Sequence, residues 1–284
     1  MKTPILIECP RDAMQGIKNW IPTEAKIKYI QSLLSVGFDV LDVGSFVSPK
    51  AIPQMKDTAV VLENIDFSEC KSELLVIVAN LRGALEAVKY DAITYIGFPL
   101  SVSENFQMRN THKTQEEALF LLDQLIEVCN NSGKKLVVYL SMGFGNPYGD
   151  PWSVEIVTNW IDLLAQKGIQ IISLSDTVGS AKTNDISEIF KAVINQYSEI
   201  EIGAHFHTQP EKAFSKIKAA HEAGCNRFDG AIKGFGGCPM AADNLTGNMP
   251  SEKLISYFNQ QQIPLNIDPI KFEYAYNQSL NIFI

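Results

Sequence analysis

The absences in this chain narrow its possibilities first. No run among the 284 residues approaches the ~20 consecutive apolar residues that a membrane-spanning helix needs. No block of lysine or arginine occurs, and the formal net charge is −8, so a nucleic-acid or anionic-membrane surface is not expected. The five cysteines are odd in number, scattered and never in CxxC spacing, which argues against a disulfide scaffold or a structural zinc site. The apolar run in the N-terminal "MKTPILIECPRD" is too short for a signal peptide. There is no low-complexity tract and no linker-like stretch, and 46% of the residues are hydrophobic. One cytoplasmic globular domain over residues 1–284 is the expectation.

What is present is an alternation of short β-rich runs with longer helical patterns. Strands are expected at 5–9, 38–43, 74–79, 92–98, 135–141, 169–175, 200–206 and 227–232. Helical spacing recurs between them, clearest in "TQEEALFLLDQLIEVCNNSGK" and "SVEIVTNWIDLLAQKG" and thinnest near 58–65 and 81–89. "TEAKIKYIQSLLSVG" offers Thr23 as a cap and Gly37 as a stop. Eight strand–helix units over ~250 residues fit an α/β fold, the (β/α)₈ TIM barrel. The tail "IPLNIDPIKFEYAYNQSLNIFI" is expected to be a short C-terminal extension with a final helix packed on the barrel. An open doubly wound sheet is the alternative, but no GxGxxG loop follows the first strand.

Histidine is scarce, with four in the chain, yet two stand one residue apart in "GAHFHTQ". Residues two apart on a strand face the same side, so His205 and His207 point together. In a barrel of this kind active sites lie at the C-terminal strand ends. Those ends carry Arg11 and Asp12, Asp42 and Ser45, Ser103 and Glu104, Asn146, Asp176 and Thr177, the two histidines, and after the last strand Cys238 and Asn248. Two imidazoles, the Asp12 carboxylate and an amide oxygen form a mixed nitrogen–oxygen set suited to Mg²⁺ or Mn²⁺. The plain alternative for the histidine pair is one ring in the core and one in solvent.

Several stretches, in order along nearly the whole chain, resemble 3-hydroxy-3-methylglutaryl-CoA (HMG-CoA) lyases. They are "PRDAMQ", "SFVSPKAIPQM", "SDTVG", "HFH" and "GFGGCP" with "TGN". The PRD and HxH elements mark the wider group of metal-dependent barrel lyases and synthases, whereas "SFVSPK" with "GGCP" is specific to the lyase. The resemblance implies a divalent cation, Mg²⁺ or Mn²⁺, held by Asp12, His205, His207 and Asn248. It implies cleavage of an acyl-CoA substrate by retro-aldol (retro-Claisen-type) chemistry, with Asp12 or His205 taking the proton of the tertiary hydroxyl. Arg11 would steady the thioester oxygen of the enolate, and Cys238, on a loop that Gly234, Gly236 and Gly237 allow to close, would take part in proton transfer. Asp42 stands where the lyases carry glutamate, and counts with the catalytic group. Gln15, Lys18, Ser45, Ser103, Asn146 and Thr177 are the candidates for binding substrate. A homodimer, and a role in leucine breakdown, ketone-body formation or a related degradative route, are further expectations. Departures include "RDA" for RDG, a cysteine loop one residue longer, and Thr208 where an aspartate commonly follows the second histidine, which removes support for His207. A condensing synthase of the citramalate or isopropylmalate kind and a catalytically silent metal- or CoA-binding barrel are the competing readings.

Set beside these are plain roles: Ser103 and Glu104 as helix caps, Asn146 as a turn residue, Asp176 as an orienting group, Lys18 and Lys50 as solvated lysines, and His112 and His221 as surface histidines.

Overall fold

The computed structural model describes residues 3–237 and 246–283. Cys238 therefore lies outside the described residues. Eight parallel strands close into a barrel: β1 Ile5–Glu8, β2 Val40–Ser45, β3 Glu73–Ile77, β4 Ile93–Ser101, β5 Lys135–Ser141, β6 Ile171–Asp176, β7 Glu201–Phe206 and β8 Arg227–Gly230. Each pairs with the next and β1 closes on β8, with Ile5 opposite Arg227 and Glu8 opposite Gly230. The (β/α)₈ barrel expected from the strand count is the fold.

The helices follow the sequence logic with four refinements. A short helix α1 (Pro10–Gln15) begins at once after β1, because Pro10 fits a first helical turn where its missing N–H costs nothing. In α2 (Thr23–Leu34), Thr23 is the first helical residue and Pro22 holds the cap position without a side-chain bond. The two stretches of thin periodicity are short helices, α3 (Thr58–Glu63) and α4 (Leu81–Ala87). An additional helix, α5 (Glu104–Thr111), precedes the long α6 (Gln115–Ser132), which opens with a reciprocal Thr114–Glu117 capping box. Then come α7 (Val154–Gln166), α8 (Thr183–Gln196), α9 (Ala213–Glu222) and α10 (Ser251–Gln260). The tail forms α11 (Pro269–Ser279), capped by Asp268, which packs on α2 and sets the Phe272 ring edge-on to Phe38 at 6.2 Å. Gly37 lets that tail in: its φ is +104°, and a Cβ there would lie 2.1 Å from the Asn266 carbonyl oxygen.

Apolar side chains form two layers. Ile7, Val40, Leu75, Ile77, Val137 and Ile171 fill the barrel interior, and a larger set packs strands against helices. The N-terminal end of the interior is closed by polar groups. Arg227, 1% exposed, donates to Glu201 Oε1 at 2.7 Å and lies over the Tyr95 ring, while the Tyr95 hydroxyl donates to Glu73 Oε2 at 2.6 Å. With that end plugged, the C-terminal mouth is where a ligand can enter.

Candidate metal centre and substrate cavity

At the mouth, β1 and α1 deliver Arg11 and Asp12. The Arg11 guanidinium is the hub. Its Nε donates to both Asp42 oxygens at 3.2 and 2.9 Å, and Nη2 donates to Asp42 Oδ2. Its Nη1 reaches Asp12 Oδ1 at 2.8 Å and Gln15 Oε1 at 3.0 Å. Four of the five guanidinium N–H groups are thereby used, and one on Nη2 remains. Gln15 completes the knot by donating to Asp12 Oδ1 at 2.7 Å.

His205 and His207 project from β7 and just beyond it, their ring centroids 5.3 Å apart. Asp12, His205 and His207 each offer a ligand atom within 4.8 Å of the others, and all three are buried. The His207 Nε2 stands 4.0 Å from Asp12 Oδ2. His205 Nδ1 pairs with Asp229 Oδ2 at 2.9 Å, which leaves Nε2 as the nitrogen open to an ion. Asp229 sits opposite His205 in the β7–β8 register and orients its ring as second partners of ligating histidines do. Asn248 also reaches the cluster, but its amide nitrogen, not its oxygen, faces Asp12 Oδ2 at 2.7 Å, and it donates to the Phe235 carbonyl at 2.8 Å. A half-turn of that amide would present the oxygen. Gly236 makes this approach possible, since a Cβ there would lie 2.7 Å from both the Asn248 nitrogen and the Asp12 carbonyl oxygen. The donor set of imidazole, carboxylate and amide fits a hard divalent cation.

The electrostatics agree with that fit. Burial pushes the Asp12 carboxyl up, but Arg11 and the two imidazoles outweigh it and hold the group at about 2. Burial and the neighbouring His205 lower His207 to about 4, which keeps that ring neutral, as a ligand must be. Burial works against a charge on His205, yet the Asp229 hydrogen bond raises it. Burial lifts Asp42 to about 6 against the pull of Arg11.

A cavity of about 290 Å³ opens above this cluster. Arg11, Asp12, Gln15, Thr177, His205 and His207 line it, with Tyr139, Val47, Ile52 and Phe106 among its walls. Thr177 also accepts from the Met142 N–H at 2.9 Å. The other candidate substrate contacts are placed elsewhere. Lys18 is exposed and outside the cavity lining. Ser45 lines a separate surface pocket beside α3. Ser103 caps α5, accepting from the Phe106 N–H at 3.1 Å, and bonds Asp150. Asn146 ties its own turn, donating to the Asp150 carbonyl at 3.0 Å and accepting from the Tyr148 and Asp150 N–H groups. Asp42 is fully enclosed behind Arg11 and does not line the cavity. His112, expected as a surface histidine, is exposed and also lines the cavity, and His221 is partly buried against the Tyr257 hydroxyl at 3.1 Å.

Sequence reasoning passed over Asp229 and Lys216. Asp229 interrupts the apolar strand "RFDGAI" at the position that faces inward, and that was its signal. Lys216 sits three residues after buried Ala213 and four before buried Ala220, on the core stripe of α9.

Comparison with known proteins converges on one group. The chain is 32% identical over 261 residues to the hydroxymethylglutaryl-CoA lyase of Bacillus subtilis, an alignment covering 91% of this chain and 85% of that protein. The crystal structure of the Bacillus subtilis HMG-CoA lyase superposes with a TM-score of 0.92 at 30% identity, covering 99% of this chain and 94% of that one. An HMG-CoA lyase from Acinetobacter baumannii, in complex with coenzyme A and 3-methylmalate, superposes with a TM-score of 0.90 at 29% identity, over 99% and 91% of the two chains. A family model described as HMGL-like matches residues 5–277, and the chain belongs to that family.

Proposed function

We propose that this protein is an HMG-CoA lyase, cleaving 3-hydroxy-3-methylglutaryl-CoA to acetoacetate and acetyl-CoA. The observation that carries the reading is the convergence of Asp12, His205 and His207 beside Arg11, under a cavity at the barrel mouth, in a chain of this family. Asp12, His205, His207 and, after its amide turns, Asn248 would hold a divalent cation, Mg²⁺ or Mn²⁺. Such an ion supplies Lewis acidity toward the substrate's tertiary hydroxyl.

The chain's own groups do the rest. Of the two candidate bases, His205 has Nδ1 engaged by Asp229; Asp12 accepts from Arg11 and Gln15 on Oδ1 and from Asn248 on Oδ2, and the turn of the Asn248 amide would release Oδ2 for the hydroxyl proton. As that proton leaves, the carbon–carbon bond breaks, the former alcohol carbon becomes the ketone of acetoacetate, and the electron pair passes to the acetyl-CoA enolate. The free N–H of Arg11 is a fixed cationic donor for the enolate oxygen, and Asp42 and Asp12 hold the guanidinium in place before substrate arrives. Cys238, outside the described residues, is the proposed proton donor to the enolate carbon. Gln15 and Thr177 are the polar cavity groups proposed to orient the acyl portion.

The cytoplasm is the proposed compartment. Cys9, Cys70, Cys129 and Cys225 are free thiols, and among the described residues no helix is long and apolar enough to cross a membrane. A homodimer is proposed with it, checked by sedimentation. The two products would place the reaction in leucine breakdown, ketone-body formation or a related route.

The test is product release by purified protein. Equimolar acetoacetate and acetyl-CoA from HMG-CoA, lost with EDTA and restored by Mg²⁺ or Mn²⁺, is the expected result. Formation of citramalate from acetyl-CoA and pyruvate, without acetoacetate release, would replace the lyase with a condensing synthase.

A further inference from the structure

The two histidines of the cluster are supported differently. His205 is fixed through its ring, by Asp229 on Nδ1. Among the described residues no side chain partners the His207 ring in this way. Its buried Nδ1 meets no side-chain acceptor among the described residues, and the Thr246 backbone is the one hydrogen-bonding group that raises its basicity, against the stronger effect of burial. Thr208 follows it, so no carboxylate comes from the next residue. A ligating imidazole without a side-chain partner at its second nitrogen is oriented less firmly and binds an ion less tightly. Something else must hold this one.

The main chain of His207 is gripped on both sides. Its N–H donates to the Asp176 carbonyl at 3.1 Å, and its own carbonyl accepts from Lys216 Nζ at 3.1 Å. The same ammonium donates to Asp176 Oδ2 at 2.6 Å and to the Gly179 carbonyl at 3.1 Å, so its three N–H groups all find acceptors. Asp176 Oδ2 also accepts from the Ala181 N–H at 3.1 Å. Lys216 and Asp176 are 2% and 1% exposed, which makes them a wholly buried ion pair. Such pairs are poor stabilisers, because an apolar pair of similar volume serves the core as well or better. What this pair provides is direction: it ties the end of β6, the turn after it and the residue beyond β7 into one unit.

We infer that Lys216 is a positioning residue for His207, clamping its backbone where no side chain among the described residues steadies the ring and so tightening the proposed cation site. This rests on the metal reading above. It assigns to a lysine of α9, outside the cavity lining, control of ion affinity at the barrel mouth.

The experiment is direct Mn²⁺ binding to EDTA-stripped protein, followed by the electron paramagnetic resonance of free Mn²⁺, with circular dichroism as the fold control. Lys216→Met should weaken Mn²⁺ binding about 10- to 100-fold, the range seen when partners of metal ligands are lost. Lys216→Arg, which keeps a cationic donor, should recover most of the loss. Should Lys216→Met fail to fold because Asp176 is stranded, the double variant Lys216→Met/Asp176→Leu removes both charges. It should fold, and should show the same weakened binding. A folded Lys216→Met or double variant that binds Mn²⁺ as tightly as the wild type overturns the inference while leaving the metal reading intact. A wild type that binds no Mn²⁺ overturns both.

Discussion

The two ends of the barrel both bury charge, and they balance it differently. At the N-terminal end cation and anion are matched: buried Arg227 with Glu201 at 2.7 Å and, at the exposed rim, Lys135 with Glu73 at 3.8 Å, the Tyr95 hydroxyl donating to Glu73. Gly203 belongs to the same plug, since a Cβ there would lie 2.9 Å from Arg227 Cδ. At the C-terminal end acceptors are in excess. Asp12 and Asp42 share one guanidinium, Asp229 holds one histidine, and the second histidine turns its Nε2 toward Asp12 Oδ2 at 4.0 Å. A matched set closes a barrel, whereas a set short of positive charge waits for a cation. Stability and catalysis are thus separated along one axis of the fold.

The sharpest way to break that contrast is to remove one arginine at each end. Arg11→Met should lower kcat about 10²- to 10³-fold, the scale of losing a donor to a developing oxyanion, in steady-state acetoacetate release. Retained turnover would remove Arg11 from the enolate role and make the two ends alike. Arg227→Met should do the reverse. Breaking a wholly buried pair costs about 3–5 kcal/mol, and because Glu201 is more than a third exposed the loss in denaturant unfolding should stay below that range. Its kcat and Mn²⁺ affinity should match the wild type once folded protein is compared.

A pH-dependent effect comes from Glu8, the last residue of β1, on its outer face. Its carboxyl accepts from the Ile232 N–H at 2.8 Å and pairs with the Ser251 hydroxyl. Burial raises it from 4.5 to about 8, against the pull of those hydrogen bonds. The folded protein therefore holds a proton here that the unfolded chain releases above pH 4.5. Its contribution is full below about pH 4.5 and is lost as pH rises through about 8. Across that window wild-type stability should fall relative to Glu8→Gln with a slope of about 1.4 kcal/mol per pH unit. Parallel pH curves for the two proteins would show that Glu8 is ionised in the fold.

The same two ends show how far the sequence could be read. All eight strands were legible because parallel strands covered on both faces are short apolar runs bounded by turn residues, and their shared direction gathers Arg11, Asp12, His205, His207 and Asn248 without any knowledge of packing. Facing was harder. A register shift between Asp42 and Gly44 interrupts the alternation of β2, so the side taken by Ser45 could not be counted from Asp42. Partnership was hardest. Ser103 and Asn146 stand at strand ends as substrate groups would, yet both serve Asp150, a residue from a different loop than Ser103 and one with no periodic signature. Lys216 was obscured for the same reason, since a lysine in a helix reads as solvated until the end of β6, the turn after it and the residue beyond β7 supply its three acceptors.

Ser103 gives the smallest and most discriminating difference. Its hydroxyl accepts from the Phe106 N–H at 3.1 Å as the cap of α5 and bonds the Asp150 carboxylate, which also keeps the Asn105 N–H at 3.1 Å. Ser103→Ala should cost about 1 kcal/mol, the usual loss of a capping oxygen, in chemical unfolding. The Michaelis constant for HMG-CoA should not move, because the hydroxyl is spent on backbone and carboxylate and lies outside the cavity lining. A Michaelis constant raised several-fold with unchanged stability would mean that this hydroxyl leaves Asp150 for the substrate. The functional end of the barrel would then reach further along its rim than the cavity walls describe, and the boundary between structural and chemical polarity would run through α5 instead of beneath it.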